Sequence, residues 1–319
     1  MSENGMSDNE PSENGPSDNG TPDNGMPDTT SETSGRVPVA KTYKLHIGGA
    51  FPRSESGRVY PVHDWRGEFL ANAARASRKD VRDAVSAARK AFGGWSGASA
   101  HNRGQVLFRV AEVLEGRRAQ FVDQISAAEG VAREAASSTV DTAIDRVVWY
   151  AGWTDKIATV LGATNPVAGP YSSFSVPEPT GVVGVLAPAD SSLLGLVGVL
   201  APVLAAGNAA VVLASERRPL AAVTFAEVLA TSDLPGGVAN VLTGPVDELA
   251  RTIAAHADVD ALDPTGAEAQ LRAELEGAAA ENVKRVLQVR GQQDWTRPPG
   301  IQRLRAFTEL KTVWHPVGT

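Results

Sequence analysis

The chain has 319 residues, a net charge of −7 and no cysteine. Its length allows one large domain or two modest ones, and the lack of cysteine excludes disulfides, thiolate metal sites and a cysteine nucleophile. Eight acidic residues and no Lys or Arg lie within residues 1–35, so the rest of the chain is close to neutral and offers no general case for nucleic-acid binding.

Residues 1–37 are predicted to be a disordered acidic tail. A five-residue theme repeats between residues 2 and 28 as variants of Ser-Glu-Asn-Gly, and it contains almost nothing apolar that would offset the entropy lost on ordering. The start of the chain lacks the basic and apolar segments of a secretory signal, and we expect a cytoplasmic protein. The tail is interpreted as a solvating segment, with docking to a basic partner as the alternative.

Short strands and then amphipathic helices are predicted in the first part of the body. Residues 43–49 and 58–63 have the pattern of two strands around a turn. Ser77 opens a helix whose apolar residues fall on one face. Apolar spacing predicts further helices that pack beside one another, at 102–115, 117–129 and 135–160.

Apolar and amphipathic runs alternate after Tyr171, which is typical of a parallel sheet covered by helices on both faces. The predicted strands are 171–177, 181–187, 208–213, 239–243, 259–262 and 283–289. The predicted helices between them are 193–206, 219–231, 245–256 and 266–279. The fold class is therefore α/β with a doubly wound sheet, and ligands of such sheets bind at the carboxyl ends of the strands.

One long stretch without charge, from Ser191 to Ser215, has to be compared with a membrane span. Pro202 and the Gly207-Asn208 pair interrupt it, and its pattern changes there from helix-like to β-branched. A buried helix followed by a buried strand explains this pattern better than a bilayer span does. We therefore expect no membrane partner.

Several segments resemble the aldehyde dehydrogenase family in their order and spacing. They are Trp149–Ile157, Glu178–Pro188, Leu204–Val212, Leu234–Gly244 and, as the family's C-terminal strand, Ala306–Trp314. The resemblance implies a Rossmann-like cofactor-binding domain with N-terminal helices over 38–290. It also implies a remnant oligomerisation arm, to which the strand at 171–177 and a C-terminal strand within 301–319 belong.

The segment between Arg290 and this C-terminal strand is much shorter than in the family that the chain resembles. Only ten residues, Gly291 to Gly300, stand where the family has a second α/β domain. In the family, that domain carries the cysteine whose thiolate attacks the aldehyde, after which a hydride passes to NAD(P) and a glutamate activates water. Residues 291–300 are therefore interpreted as a short linker that replaces the catalytic domain.

The other catalytic positions implied by the resemblance also differ in this chain. Asp190 stands where the family has its oxyanion-donating asparagine, and a carboxylate would repel the developing alkoxide. Gln288 stands near the general-base glutamate, and an amide cannot take a proton. Ser191 and Ser192 lack a Gly-x-Ser-x-Gly elbow and are interpreted as a surface loop or a helix N-cap. We predict no catalytic residue and, from the spacing of the five histidines, no metal site.

The resemblance also implies candidate contacts with NAD(P), at Pro188, Ser215, Glu216, Gly244 and Gly266. Glu216 ends the element Leu213-Ala-Ser-Glu, which resembles the family's ribose-binding Lys-Pro-Ser-Glu, although leucine cannot donate to a ribose. Gly266 opens the phosphate-facing glycine motif, in which Leu271 replaces the second glycine and Pro264 replaces the usual aromatic. NAD(P) binding and an empty Rossmann-like scaffold both stay open.

The retained arm segments, with apolar residues at Phe307, Leu310 and Val313, favour assembly with another chain. An arm without a partner exposes unpaired strand edges, which pairing with another chain satisfies. The leading hypothesis is a non-catalytic family member that forms a homo-oligomer, or a hetero-oligomer with a full-length aldehyde dehydrogenase. The alternatives are an NAD(P)-dependent oxidoreductase acting on aldehydes, a residual dinucleotide-binding protein, and a decaying gene product. The intact core pattern argues against decay.

Overall fold

The computed structural model describes residues 41–289 and 291–318. The predicted tail at 1–37 lies outside the described residues. The strands are β1 (Thr42–Tyr43), β2 (Val59–His63), β3 (Phe69–Ala74), β4 (Ala163–Asn165), β5 (Tyr171–Pro179), β6 (Val182–Leu186), β7 (Ala209–Leu213), β8 (Ala239–Leu242), β9 (Ala261–Asp263), β10 (Arg285–Val286) and β11 (Thr308–Pro316). The helices are α1 (Arg78–Ser96), α2 (Ala100–Gly116), α3 (Arg118–Glu129), α4 (Arg133–Ala151), α5 (Ile157–Leu161), α6 (Leu194–Ala205), α7 (Leu220–Ala230), α8 (Val246–Ala255), α9 (Ala269–Ala280) and α10 (Gln302–Ala306).

Five parallel strands form the central sheet, in the order β10-β9-β6-β7-β8. β6 and β7 are buried along their whole length, which explains why both are unbroken apolar runs. Val183 and Val185 pack into a core shared with α2, α4, α6 and α7, whereas Val182 and Leu186 pack into a core shared with α1, α8 and α9. Helices therefore cover both faces of the sheet, and the predicted doubly wound α/β fold is confirmed.

The start of α1 is fixed by a capping box at the predicted position. The Ser77 side chain accepts hydrogen bonds from the N–H groups of Lys79 and Asp80, and the Asp80 carboxylate accepts one from the N–H of Ser77. Val81 and Val85 then fall on the buried face of the helix. This helix brings the N-terminal part of the chain against the central sheet.

The charge-free stretch from Ser191 to Ser215 folds as the buried helix α6 followed by the buried strand β7, as predicted. The turn between them is fixed by Asn208, whose side chain accepts from the N–H of Gly181 and donates to the carbonyl of Phe307, both at 2.9 Å. Within 41–289 and 291–318, no helix is long and apolar enough to cross a membrane.

The three strands β11, β5 and β4 form an antiparallel sheet in that order. β5 and β11 pair continuously from Tyr171 opposite Pro316 to Pro179 opposite Thr308. Phe307 is buried in the body before β11 begins, whereas Leu310 is 59% exposed on the strand. The two segments assigned to an arm are therefore each other's hydrogen-bonding partners, and we call the β5–β11 pair the ribbon.

Two predicted elements are shorter than their apolar patterns suggested. The helix predicted at 135–160 is two helices, because α4 ends at Ala151 and α5 begins only at Ile157. The strand predicted at 283–289 is reduced to β10, since Val283 has a φ of +55°, which extended strands do not adopt.

A small sheet of order β1-β3-β2 lies at the start of the described chain. Residues 43–49 contribute only β1 before a turn at Gly48 and Gly49, which have φ values of +63° and +86°. β3, which was not predicted, reads Phe-Leu-Ala-Asn-Ala-Ala and contains no β-branched residue. The short β4 and α10 were also missed, and neither carries a strong local pattern.

Candidate functional site

The parallel strands of the central sheet end at one edge, and the loops that follow them lie there. Pro188 follows β6, Ser215 and Glu216 follow β7, Gly244 follows β8, and Gly266 follows β9. All five candidate contact residues are therefore at the carboxyl edge of the sheet, where doubly wound folds bind nucleotides.

Two of these residues are glycines with a structural requirement. The N–H of Gly266 donates to the carbonyl of Leu186 at 3.0 Å, and a Cβ at Gly266 would overlap the carbonyl oxygen of Ala187. Gly244 has a φ of +142°, which residues with side chains rarely adopt. Leu271, in place of the second glycine of the motif, packs into the core at 7% exposure. Packing of the chain against β6 thus accounts for Gly266 even without a bound phosphate.

A cavity of about 450 Å³ opens beside Gly266. Pro188 and Asp190 line one side, and the start of α9 with Arg272 lines another. The Nη2 of Arg272 donates to the carbonyl of Ala267 at 2.9 Å, while its Nε is buried without a described hydrogen-bond partner. A helix start and a guanidinium at one cavity suit an anionic group such as a pyrophosphate.

The loop after β7 carries the element that resembles the family's ribose-binding motif. Glu216 is exposed, and its Oε2 accepts a hydrogen bond from the N–H of Val246, at the start of α8, at 3.2 Å. Ser215 is buried, and its Oγ accepts from the N–H of Arg218 at 3.4 Å, which shapes the loop. Leu213 is 1% exposed in the core and does not face a ligand. Glu216 is thus the residue of this element that remains available to ribose hydroxyls.

The positions that differ from the family's catalytic pattern lie in the loops after β6 and β10. Asp190 is exposed there, and Gln288 is exposed after β10. The Oγ of Ser191 accepts from the N–H of Gly195 at 2.9 Å, and the Oγ of Ser192 donates to Glu129 at 2.6 Å. Ser191 therefore accepts a hydrogen bond from the first turn of α6, although the N-cap of this helix is Leu193, which makes no side-chain cap. Ser192 is 4% exposed and joins the loop to Glu129 at the end of α3, so it is not a surface residue.

Several contacts that the sequence did not predict hold residues 291–303 against this edge. Arg303 forms an ion pair with Asp263, and the two side chains are 13% and 0% exposed. The Nη2 of Arg146 donates to the carbonyls of Trp295 and Arg297 at 2.6 and 2.8 Å. The carboxylate of Asp263 at the end of the apolar strand β9 could have indicated a buried cation as its partner, but the sequence did not show which cation.

Burial also changes the ionisation of side chains in this cluster. It raises the pKa of the Tyr150 hydroxyl to about 12, against the opposing effect of the Arg303 and Arg146 charges. Desolvation lowers the pKa of Arg146 from its usual value. Tyr150 and Asp294 oppose this shift, whereas the nearby Arg303 acts in the same direction. The cluster is therefore a region of low polarity that nevertheless holds several charges.

The order of the parallel strands, the helices on both faces and the loops at one edge define a Rossmann-like body of the nucleotide-binding class. The aldehyde dehydrogenase family model matches residues 51–294 of the chain. This protein belongs to the aldehyde dehydrogenase family.

Relatives and solved structures show the same extent of similarity. Retinal dehydrogenase 2 from Gallus gallus is 34% identical over 251 residues, which cover 77% of this chain and 48% of the relative. The putative aldehyde dehydrogenase DhaS from Bacillus subtilis is 32% identical over 249 residues, with coverages of 77% and 50%. The NAD+ complex of an aldehyde dehydrogenase from Bacillus cereus superimposes with a TM-score of 0.73 at 26% identity, and HpcC from Thermus thermophilus with 0.72 at 30%. These alignments cover 77% of this chain and 50% and 47% of the two structures. The chain spans about half the length of the curated relatives it matches.

Proposed function

We propose that this chain is a non-catalytic member of the aldehyde dehydrogenase family that assembles through the ribbon with a second chain. That chain is either another copy or a full-length aldehyde dehydrogenase. The ribbon is the observation that carries the proposal. In the same proposal, residues 291–300 stand in place of the catalytic domain.

The ribbon exposes apolar side chains and an unpaired edge. Leu310 and Trp314 are each 59% exposed, and Tyr171 is 46% exposed. All three lie on one face of the ribbon. Leu310, Trp314 and Pro316 are an even number of residues apart on β11, and Tyr171 lies directly opposite Pro316 in the continuous register. Among the described strands, β11 pairs only with β5. A free edge beside an apolar face favours pairing with another protein chain.

The absence of the family's catalytic groups supports a non-catalytic role. Aldehyde oxidation through a thiohemiacetal needs a thiolate, an oxyanion donor and a general base. The chain contains no cysteine, and the exposed carboxylate of Asp190 and amide of Gln288 stand where donor and base are expected. A partner of full length would supply all three groups itself.

Sizing of the purified chain by light scattering tests self-assembly. We expect a mass above that of the 33.3 kDa monomer at micromolar concentration, and a monomer for Leu310→Glu and Trp314→Glu, since a charge on this face costs the apolar contact. Phe108→Glu is the matched control, because Phe108 is 50% exposed on α2, which is not part of the ribbon. It should leave the mass unchanged.

Affinity purification of the tagged chain from its native cells distinguishes the two partners. Co-elution of a full-length aldehyde dehydrogenase in fixed ratio, lost in Trp314→Glu, supports a hetero-oligomer, and elution of the chain alone as a multimer supports self-assembly. A monomer that elutes alone contradicts the proposal.

Dinucleotide binding is the second candidate function, with NAD(P)-dependent aldehyde oxidation as its furthest form. The cavity beside Gly266 and the exposed Glu216 support it, since they fit a pyrophosphate and a ribose respectively. Leu213 is buried and has no side-chain donor for a hydrogen bond to the ribose. A bound nicotinamide would supply a hydride acceptor, and this chain's own residues would bind and orient the adenosine and phosphate groups.

Calorimetric titration with NAD+ and NADP+ tests this second function. Saturable binding that weakens in Glu216→Ala, but not in the exposed Glu281→Ala, supports it. No heat at millimolar dinucleotide leaves an empty scaffold. Dinucleotide-dependent oxidation of an aldehyde by the pure chain would overturn the non-catalytic proposal.

A further inference from the structure

A second cavity lies behind the segment that joins β10 to α10. It has a volume of about 410 Å³ and is lined by Arg146 and Tyr150 of α4, by Gly198 of α6, and by parts of 287–289 and 293–303. We call it the linker cavity. Its size is within the range of cavities that hold small organic ligands.

Three guanidinium groups of the described residues line the linker cavity, and two of them have a carboxylate partner. Arg297 lies 3.2 Å from Asp294, and Arg303 is paired with the fully buried Asp263. Arg146 forms no ion pair with any residue of 41–289 or 291–318. Among the described residues, the Arg146 guanidinium is therefore without an ion-pair partner, although the Asp294 carboxylate also favours its charged form.

This unpaired charge is also poorly solvated. Arg146 is 5% exposed, and although its Nη2 donates to two backbone carbonyls, its Nε is buried with no described hydrogen-bond partner. A buried charge without an anionic partner is costly, and an anion in the adjacent space would offset that cost. The indole Nε1 of Trp295 is a second buried donor without a described partner.

The walls of the linker cavity limit the chemistry of such an anion. Tyr150, Leu287 and Trp295 present aromatic and aliphatic surface. One unpaired positive charge matches one negative charge, whereas a phosphate dianion would leave an excess. We propose that the linker cavity binds a small organic monocarboxylate, whose carboxylate accepts hydrogen bonds from Arg146 and whose apolar body packs on Trp295 and Leu287.

This site adjoins the dinucleotide candidate cavity, with which it shares Val289, Gln293 and Trp295, and it does not depend on assembly. Pro188 and Gly266 line the neighbouring cavity, to which Arg146 does not contribute. Failure of NAD+ binding or of self-assembly would therefore leave this proposal standing.

Titration of the full chain with benzoate and with its neutral analogue benzamide tests the proposal. We expect saturable binding of one benzoate by calorimetry, and binding of benzamide that is weaker by at least about tenfold, because a charge-assisted hydrogen bond is lost. Arg146→Gln should weaken benzoate binding by a similar factor. Arg109→Gln is the matched control, since Arg109 is exposed on α2 and pairs with Glu112.

A fluorescence measurement locates the ligand without removing Arg146. Benzoate should change the tryptophan emission of the unmodified chain, and Trp295→Phe, which keeps the apolar wall, should abolish that change. Equal binding of benzamide and benzoate, unchanged affinity in a folded Arg146→Gln, or an emission change that persists in Trp295→Phe would each overturn the proposal. If Arg146→Gln does not fold, the other two comparisons decide.

Discussion

The buried imidazole of His46 makes the stability of the fold depend on pH. His46 is 3% exposed, neither ring nitrogen has a described hydrogen-bond partner, and the ring lies 4.8 Å from that of Phe51. Its backbone pairs with Val241 of β8 through hydrogen bonds of 2.9 and 2.8 Å, so the ring cannot reach water without opening this contact. Desolvation lowers the pKa of His46 from 6.5 to about 4, against the smaller opposing effect of the nearby Ala239 backbone.

The direction and size of the effect follow from linkage. The pKa of His46 is lower in the folded chain than in the unfolded chain, so the unfolded chain binds more protons between about pH 4 and 6.5. The free energy of unfolding therefore decreases as the pH is lowered through that window. The whole shift corresponds to roughly 3 kcal/mol, and about 2 kcal/mol of it is lost between pH 7 and pH 5. Above the unfolded pKa the contribution of neutral His46 is complete.

Urea unfolding of the chain and of His46→Leu at pH 7 and pH 5 measures this contribution. Leucine is close in volume and does not titrate, so the variant should lose about 2 kcal/mol less than the unmodified chain on acidification. His101→Leu, at an exposed position of α2, is the matched control and should retain the full loss. If the unmodified chain and His46→Leu lose the same free energy, burial of His46 is not the cause.

Three further changes test single contacts by urea unfolding. Arg303→Met should cost about 3–5 kcal/mol because it leaves Asp263 buried and unpaired, and adding Asp263→Asn should recover part of that loss; no recovery would refute the pairing argument. Gly266→Ala should lower the free energy of unfolding by about 1–3 kcal/mol, because its Cβ would overlap the backbone at the end of β6. Gly277→Ala has open space around it on α9 and should instead stabilise the fold by up to about 1 kcal/mol. Equal effects of the two substitutions would contradict the close approach of Gly266 to β6. Asn208→Ala should cost about 1–3 kcal/mol and speed amide exchange in β11, and unchanged exchange would show that this side chain does not fix the ribbon to the body.

The parts of the fold that the sequence predicts well are those with a local physical signal. β6 and β7 are unbroken apolar runs because both faces are covered. α1 begins at Arg78 because the capping box of Ser77 and Asp80 satisfies its first N–H groups. β3 has no such signal, since its alanine-rich strand exists only through its neighbours β1 and β2. The shortening of β10 comes from one backbone torsion at Val283, which the apolar pattern does not encode.

The candidate site divides in the same way. Placement of Pro188, Glu216 and Gly266 at one edge follows from strand order, because the ends of parallel strands coincide. The contacts that each of these residues makes do not follow from strand order. The sequence does not reveal that Gly266 packs on the end of β6, or that Arg146 holds the carbonyl of Trp295, since these contacts join elements far apart in the chain.

The contacts across residues 291–303 bear on whether the chain is a stably folded protein or a decaying gene product. Trp295 covers the space at Gly198, and Arg303 neutralises Asp263, so side chains on both sides of the short segment fit each other. Random loss of a domain would leave the end of β9 and the surface of α6 without such partners, since mutual fit arises only when each local choice agrees with the fold. We therefore expect one cooperative urea transition, at the same midpoint by far-ultraviolet circular dichroism and by tryptophan fluorescence. Separate midpoints for the two signals, or a gradual loss without a midpoint, would favour decay over a retained role.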